Sequence, residues 1–348
     1  MTKIQAWGTS AADKPLGPMT IERREPRPRD VVIEIEFCGI CHSDIHQARD
    51  EWSGASFPMV PGHEIVGRVT KVGSEVTKLG VGDRAGVGCF VDSCRACKPC
   101  GSGIEQFCEN GPAFTYNGTE MDRKTPTFGG YSTQIVVDER YALLVPKGLD
   151  PAGAAPLLCA GITTYAPLRQ WGCKPGDRVG VVGLGGLGHM AVKIARSMGA
   201  EVTVFSTSES KEADARRLGA TDFAVTKGAG AFDRFAGKLD LIVDTVSAPH
   251  EYEPYLRSLR ARGTMVLVGA PPTPSPLGAF SLIAGSKTLA GSMIGGIAET
   301  QAMLDHCAEH NIVSDIEIIP AAKINEAYER VLKSDVRYRF VIDIASLR

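Results

Sequence analysis

Four cysteines stand close together between residues 94 and 108, with the spacing Cys-x2-Cys-x2-Cys-x7-Cys: Cys94, Cys97, Cys100 and Cys108. Four thiolates so near in sequence can converge on one ion and form a closed tetrahedral site, which is typical of structural zinc. An iron–sulfur cluster also accepts four cysteines, and free thiols are the third alternative. The spacing favours a zinc site in a loop over residues 89–110, and it indicates no reaction.

Three further candidates lie far apart in the chain. Cys41 lies in the segment CGICHSDIH (residues 38–46), His63 in PGHEIVG (61–67) and Cys159 in PLLCAG (156–161). Taken alone, a cysteine in an apolar segment usually packs as a small hydrophobic side chain, and a histidine usually makes a structural hydrogen bond. Spacing by itself does not join these three residues into a site.

A glycine-rich turn, GLGGLG, occupies residues 183–188. It follows the apolar run 179–182 and precedes a helical stretch, which is the context that the dinucleotide-binding fingerprint requires. In that fingerprint Gly183 permits the tight turn, Gly185 lets the backbone approach a pyrophosphate, and Gly188 allows close packing of helix and strand. The pattern predicts a dinucleotide site, the alternative being a glycine-rich connection without a ligand.

The residues that follow the next predicted strand distinguish an NAD site from an NADP site. An NAD enzyme places Asp or Glu there, about 20 residues after the glycines, to bind the ribose 2′-hydroxyl. This chain has hydroxyl side chains that can donate to a 2′-phosphate, namely Ser206, Thr207 and Ser208. Lys211 can add positive charge, and we expect the acidic Glu209 at the start of the next helix, pointing away. The segment predicts NADP(H).

The chain changes character at about residue 155. The first part is β-rich, because residues 31–37 alternate apolar and polar side chains and glycines and prolines punctuate the segments that follow. The second part alternates apolar runs with helical stretches, which predicts an α/β fold with a doubly wound parallel sheet. Its predicted strands are residues 179–182, 202–205, 239–246, 264–268 and 288–294.

The tail continues the alternation of helices and strands. Helices are predicted at residues 299–310 and 324–332, and strands at 316–319 and 339–342. These elements either extend the parallel sheet or return to the first part of the chain. Periodicity does not decide between the two.

The composition is that of a soluble globular protein of two domains, with 348 residues, 22% charged residues and a net charge of −2. This balance gives no reason to expect nucleic acid or a membrane surface as a partner. No apolar run approaches the roughly 20 residues that span a bilayer, and the N-terminus lacks the apolar stretch of a signal peptide. We expect a cytoplasmic protein, in which ten cysteines indicate metal rather than disulfides.

Several motifs resemble one family in their order along the chain. The pattern GHEx2Gx5Gx2V (residues 62–76) is similar to the zinc signature of the medium-chain alcohol dehydrogenases, and the cysteine cluster and the glycine-rich turn follow it. The segments around Cys41 and Cys159 resemble the cinnamyl-alcohol-dehydrogenase branch, which includes bacterial broad-range aldehyde reductases. The resemblance covers essentially the whole chain.

This resemblance implies a catalytic zinc held by Cys41, His63 and Cys159, with the fourth position open to water or a substrate oxygen. It places Glu64 near the metal, where that carboxylate can coordinate transiently. It also places Asp44 beside His63, where the carboxylate fixes the tautomer of the ligand. The four-cysteine cluster then holds a second, structural zinc.

The reaction implied by the resemblance is reversible hydride transfer between NADP(H) and an alcohol or aldehyde. Zinc polarises the carbonyl oxygen, and the nicotinamide gives hydride to the carbonyl carbon. The product oxygen then takes up a proton from Ser43, and the relay behind Ser43 runs through the cofactor ribose to His46, whose ordinary pKa lies near working pH. Use of NADP favours aldehyde reduction.

The resemblance also implies how the chain is divided and what it binds. Residues 1–154 and 295–348 form a discontinuous GroES-like catalytic domain, residues 155–294 form a Rossmann cofactor domain, and the protein is a homodimer. Further cofactor positions are Gly186, Leu187, Thr163, Val268 and Gly269. An apolar slot for aromatic or medium aliphatic aldehydes is lined by Trp52, Phe57, Met59, Tyr116 and Ile294.

Two other functions compete with this interpretation. An NAD-dependent polyol or secondary alcohol dehydrogenase is expected to carry an acidic residue after the second strand, and this chain has hydroxyl residues there. A catalytically inactive, zinc-stabilised Rossmann binding protein would tolerate loss of the ligand and relay residues. All of those residues are present in this sequence.

Overall fold

The computed structural model describes residues 1–228 and 230–347. Its strands are β1 Thr2–Gly8, β2 Gly17–Arg23, β3 Asp30–Gly39, β4 Ile65–Val72, β5 Arg84–Val87, β6 Phe90–Asp92, β7 Ala113–Phe114, β8 Gly118–Thr119, β9 Pro126–Thr127, β10 Gln134–Asp138, β11 Leu143–Leu144, β12 Arg178–Val182, β13 Glu201–Ser206, β14 Asp222–Val225, β15 Leu239–Asp244, β16 Leu259–Leu267, β17 Thr288–Gly291, β18 Ile316–Pro320 and β19 Arg339–Asp343.

The α-helices are α1 His42–Ala48, α2 Lys98–Gly101, α3 Pro151–Ala154, α4 Ala160–Gln170, α5 Gly188–Ser197, α6 Glu212–Leu218, α7 Glu253–Ser258, α8 Phe280–Ile283, α9 Ile297–Glu309 and α10 Ile324–Leu332. Short 3-10 helices occupy Glu105–Phe107, Ala155–Leu158, Glu209–Lys211, Asp233–Phe235, Ala321–Lys323 and Ile344–Leu347. Within the described ranges, no helix is long and apolar enough to cross a membrane.

The chain forms two compact units, one of Met1–Ile162 with Gly295–Arg348 and the other of Thr163–Ile294. The sequence placed the first boundary earlier, after residue 154. The observed division falls later because the 3-10 helix after α3 packs against β3, β4 and β5. Leu158, the last residue of this 3-10 helix, lies against Gly86 of β5. A Cβ added to Gly86 would be only 3.0 Å from the Leu158 side chain.

The first unit is built on a seven-stranded sheet with the order β11-β5-β4-β3-β19-β18, and β10 also pairs with β3. Val31, Ile33 and Ile35 of β3 are buried, as the predicted alternation requires. The tail strand β19 runs antiparallel to the end of β3, and β18 is parallel to β19. The tail therefore joins the sheet of the first unit, which periodicity had left open.

The second unit contains a six-stranded sheet with the order β14-β13-β12-β15-β16-β17. All of its neighbouring strands are parallel, which confirms the predicted doubly wound sheet. The chain moves outward from β12 to β13 and β14, then returns to the other side of β12 at β15. This reversal of strand order is the switch point at which open α/β sheets bind ligands.

Three differences from the predicted elements have simple causes. The strand β14 was not predicted, because its four residues are too short for a clear pattern. The strand β16 begins at Leu259 rather than at residue 264, and a register irregularity between Leu239 and Leu241 of its partner β15 accompanies this extension. The helix that was expected to begin at Glu209 starts as a 3-10 turn and becomes α-helical at Glu212.

Candidate metal and cofactor sites

Cys41, His63, Glu64 and Cys159 come together in the first unit. Each offers one ligand atom, and these four atoms all lie within 4.8 Å of one another. Cys41 stands at the N-cap of α1, the His63–Glu64 pair leads into β4, and Cys159 follows a 3-10 helix. The largest exposed fraction among the four residues is 9%. The structure thus brings together three segments that spacing alone could not connect.

The donors of this group fit a zinc ion. Cys41 Sγ and Cys159 Sγ are 3.8 Å apart. The hydrogen bond from Cys159 lowers the pKa of Cys41 well below its usual value, and the same contact raises the pKa of Cys159. Two cysteines and one histidine are the protein ligands of some catalytic zinc sites with an open fourth position.

Asp44 anchors the group from the inside. This carboxylate is 0% exposed, and its Oδ1 accepts from His63 Nδ1 and from Gly62 N, both at 3.2 Å. Its Oδ2 accepts from Cys41 N at 2.8 Å and from Tyr131 OH at 3.1 Å. Burial lowers the pKa of His63, but the Asp44 charge outweighs this and raises the pKa. Because Nδ1 is engaged, Nε2 is the nitrogen left for a metal.

Arg339 of β19 forms a buried ion pair with Glu64, between Arg339 Nη2 and Glu64 Oε1. Burial raises the pKa of Glu64 to about 7, and the guanidinium acts in the opposite direction. Glu64 Oε2 has no hydrogen-bond partner among the described residues. Arg339 was not among the predicted site residues, and its one signal in the sequence is a charged residue that opens the otherwise apolar strand RFVI.

The helix α1 carries both predicted relay residues, Ser43 and His46, and both are half-buried. The His46 ring stacks between His42, at 4.7 Å, and Trp52, at 4.8 Å. His46 Nδ1 pairs with Glu51 Oε2, a contact that the sequence analysis did not predict. A spacing of five residues is not a helical side-chain pair, so the pattern gave no signal for it.

The five residues predicted to line a substrate slot differ in burial. Trp52 is 54% exposed, whereas Met59 is only 1% exposed. Tyr116 is 7% exposed, and its ring stacks on the His63 imidazole at 5.8 Å. The remaining two, Phe57 and Ile294, are half-buried. A role in lining the slot stays a prediction for all five.

The four clustered cysteines offer sulfur atoms that lie within 4.8 Å of one another. Cys97 and Cys100 are separated by 3.4 Å between sulfurs, and Cys94 N points at Cys108 Sγ at 3.3 Å. Backbone N–H groups of Ala96 and Cys97 lower the pKa of Cys94 to about 6. This is a closed set of four thiol donors, as the spacing predicted.

Cys89 lies five residues before the first cysteine of the four-cysteine cluster. It is half-buried, and its Sγ lies 3.8 Å from the carbonyl oxygen of Leu158. Its thiol also contacts Cys159, and this contact lowers the pKa of Cys89. The Cys89 thiol therefore lies beside Cys159, one of the four residues of the candidate metal site.

The glycine-rich turn connects β12 to α5 in the second unit. Gly183 has a φ of 87°, a left-handed conformation that favours glycine. A Cβ on Gly188 would lie 2.2 Å from Gly183 O, so only a glycine lets the helix approach the strand. A Cβ on Gly185 would meet nothing within 4 Å. Gly186 and Leu187 complete the turn between these positions.

The residues predicted to contact a 2′-phosphate follow β13. Ser206 ends the strand, and Ser208 N donates to Ser206 Oγ at 3.2 Å, while Thr207 between them is exposed. Lys211 Nζ donates to Leu184 O at 2.7 Å, so this ammonium lies at the glycine-rich turn. Glu209 begins the next 3-10 helix, as predicted, and is exposed.

The other predicted cofactor positions also belong to the second unit. Val268 N and Gly269 N both donate to Asp244 O, at 2.9 and 3.1 Å, directly after β16. Since β12, β15 and β16 are parallel, Val268, Gly269 and the glycine-rich turn all lie at the carboxyl ends of the strands, on the same side of the sheet. Thr163, 7% exposed, is the first residue of this unit.

Two family models match the chain. The first is described as the alcohol dehydrogenase GroES-like domain and matches residues 27–147, and the second is described as zinc-binding dehydrogenase and matches residues 186–309. The sequence is 56% identical over 349 aligned residues to NADP-dependent alcohol dehydrogenase C 1 of Mycolicibacterium smegmatis, covering 100% of both chains. It is 54% identical to Aldehyde reductase YahK of Escherichia coli, covering 99% of each chain.

Two solved structures are similar over nearly the whole chain. A cinnamyl alcohol dehydrogenase from Sorghum bicolor has a TM-score of 0.95 and 47% identity, covering 99% of this chain and 98% of that one. The crystal structure of CAD from Helicobacter pylori complexed with NADP(H) has a TM-score of 0.92 and 42% identity, with the same coverage. These comparisons agree with the fold of both units.

We expect the purified protein to contain about two zinc ions per chain, because one closed set of four thiols and one set with an open position each fit this metal. Elemental analysis of protein purified without chelator measures this directly. One zinc ion or none per chain, or iron in place of zinc, would contradict the assignment.

We expect Gly188→Ala to lower the free energy of unfolding by about 1–3 kcal/mol, because the added methyl group meets the Gly183 carbonyl. The matched variant Gly185→Ala should leave the melting temperature unchanged, since its methyl group meets no protein atom, but should weaken NADPH binding. Thermal unfolding and NADPH titration check both. Equal melting temperatures for the two variants would refute this account of the turn.

Proposed function

This chain belongs to the zinc-binding alcohol dehydrogenases with a GroES-like domain, and we propose that it reduces aldehydes with NADPH and oxidises the corresponding primary alcohols with NADP+. The observation that carries the proposal is the convergence of Cys41, His63 and Cys159, with Glu64, in one buried group. A binding protein without activity would have no need for a metal site with an open position. The named activities of the relatives support the same conclusion.

Cys41, His63 and Cys159 would hold the catalytic zinc. A zinc ion there supplies Lewis-acid polarisation of a carbonyl oxygen, and NADPH supplies the hydride. The chain prepares this site through Asp44, which fixes the backbone of Cys41 and the Nδ1 atom of His63. The Glu64–Arg339 pair keeps a second carboxylate in the same buried region.

The proton for the product alcohol comes from helix α1 in this proposal. Ser43 Oγ donates a proton to the oxygen of the reduced carbonyl, and His46 replaces it. The Glu51 carboxylate, paired with His46 Nδ1, orients the ring so that Nε2 is available for proton transfer. The same residues carry the proton in the opposite direction when an alcohol is oxidised.

NADP(H) is the cofactor that the second unit supports best. The end of β13 presents the hydroxyl side chains of Ser206, Thr207 and Ser208 where an NAD enzyme would place a carboxylate. Lys211 lies close enough to the glycine-rich turn to donate to its backbone, which brings a positive charge to the phosphate-binding end of the sheet. The relatives named for NADP support the same choice.

The substrate class is proposed from the apolar residues and from the relatives. Aromatic or medium aliphatic aldehydes fit a slot formed by Trp52, Phe57 and their neighbours, and the printed names of the relatives include an aldehyde reductase and a cinnamyl alcohol dehydrogenase. A panel of aldehydes and alcohols, assayed with both cofactors, tests the proposal. Activity with polyols and NAD alone would favour the competing function.

We also propose a homodimer that forms through the outer edge of the second unit. The strand β17 ends the six-stranded sheet, and within the described ranges it pairs only with β16. Phe280 and Ile283, on α8 shortly before this strand, are 77% and 63% exposed. Apolar side chains beside an open strand edge are typical of surfaces that are covered by a second chain.

We expect Ser43→Ala to lower kcat about 100-fold or more while the zinc content stays unchanged, because the variant removes proton transfer without removing a ligand. Steady-state kinetics and elemental analysis measure the two quantities. Ser43→Thr, which keeps the hydroxyl, is the control and should retain most of the activity. Unchanged kcat in Ser43→Ala, with hydride transfer shown to limit the rate, would exclude the relay.

We expect Lys211→Ala to raise the KM for NADPH roughly 10-fold to 100-fold, because it removes a charge-assisted contact to the 2′-phosphate. The KM for NADH should change little. Lys174→Ala, which removes an exposed lysine of the same unit, is the matched control. Equal losses with both cofactors would contradict the assignment of Lys211.

A further inference from the structure

The Asp44 carboxylate accepts a fourth hydrogen bond, which the proposed hydride and proton transfers do not explain. Three of its donors, Cys41 N, Gly62 N and His63 Nδ1, belong to the segments that carry metal ligands. The fourth is the phenol of Tyr131, which comes from the segment before β10 and donates to Asp44 Oδ2 at 3.1 Å. A tyrosine from another part of the sheet thus contributes to the polar environment of the His63 ligand.

The ring of Tyr131 is fixed next to the metal-binding segment. Tyr131 is 0% exposed, and its backbone N–H donates to Pro61 O at 3.0 Å. A Cβ on Gly62, which has a φ of 104°, would lie 2.6 Å from the Tyr131 ring. The residue before His63 must therefore be a glycine for the ring to fit, and this close packing directs the phenol towards Asp44.

A second buried tyrosine supports the first. Tyr328 of α10 is 2% exposed, and its hydroxyl donates to Tyr131 OH at 3.5 Å. Hydrogen bonds thus connect Tyr328, Tyr131, Asp44 and His63 in one series. Burial, and then the Asp44 charge, raise the pKa of both tyrosines well above the usual value, so both remain protonated donors.

We propose that Tyr131 is a positioning residue for the ligand His63, that it acts through Asp44, and that Tyr328 holds its hydroxyl in line. The inference rests on the proposed zinc site. The phenol occupies a lone pair of Oδ2 and thereby keeps the Asp44 carboxylate in the orientation in which Oδ1 meets His63 Nδ1. Without that hydroxyl, Asp44 Oδ2 keeps the hydrogen bond from Cys41 N but loses the one from Tyr131, so the carboxylate is held less firmly against the imidazole.

The variant Tyr131→Phe isolates this hydroxyl, because the ring that packs on Gly62 is retained. We expect it to speed the release of one of the two zinc ions to a chromogenic chelator roughly threefold to tenfold, less than loss of a residue that contacts the ligand directly. The accelerated phase should be the one that accompanies loss of activity. The other phase should keep the wild-type rate, and kcat should fall while the KM for NADPH stays unchanged.

Two further variants complete the experiment. Tyr328→Phe should accelerate the same phase by a smaller factor, and it decides the question if Tyr131→Phe does not fold. Tyr165→Phe removes a buried phenol that bonds Arg169 at 3.1 Å, and it should leave both phases unchanged.

The possible outcomes separate the inference from the proposed function. Unchanged release from folded Tyr131→Phe, or from Tyr328→Phe where the first variant fails to fold, would overturn the inference. Equal acceleration of both phases would also overturn it, because the hydroxyl would then act on general stability. Fewer than two zinc ions released by the wild-type protein would contradict the zinc assignment itself.

Discussion

The hydrogen bonds to Asp44 hold separate parts of the chain in one arrangement. A fully buried carboxylate must be satisfied, and this one is satisfied by the backbone that carries Cys41, by the backbone that precedes His63, and by the His63 ring. Moving either segment would leave part of the charge without a donor. The ligand geometry in the first unit therefore depends on a residue that does not itself bind the metal.

The charges around this anchor explain why a cation belongs there. Two cysteines and the carboxyl groups of Asp44 and Glu64 lie together in a buried region, and Arg339 supplies one positive charge beside them. The contact between the two sulfur atoms lowers the pKa of Cys41 and raises the pKa of Cys159. A zinc ion binds thiolates, so metal binding at this pair is coupled to the loss of protons.

Most of the fold followed from periodicity, but little of the site did. Five strands of the parallel sheet were predicted with other ends than the observed ones, and the amphipathic helix over residues 324–332 was predicted with its observed bounds, whereas the four-residue β14 was not predicted. The metal ligands became a group only through a family motif, because they lie on three distant segments. Arg339 is 275 residues from Glu64, and no local pattern encodes such a contact. The same holds for Tyr131, whose role depends on tertiary packing.

The proposed reaction requires that Cys41, His63 and Cys159 hold a zinc ion. Anomalous diffraction at the zinc edge from crystals of the purified protein tests it most directly. We expect two peaks per chain, one of them about 2.3 Å from Cys41 Sγ and Cys159 Sγ and about 2.0 Å from His63 Nε2. A single peak at the four clustered cysteines, with none at His63, would contradict it.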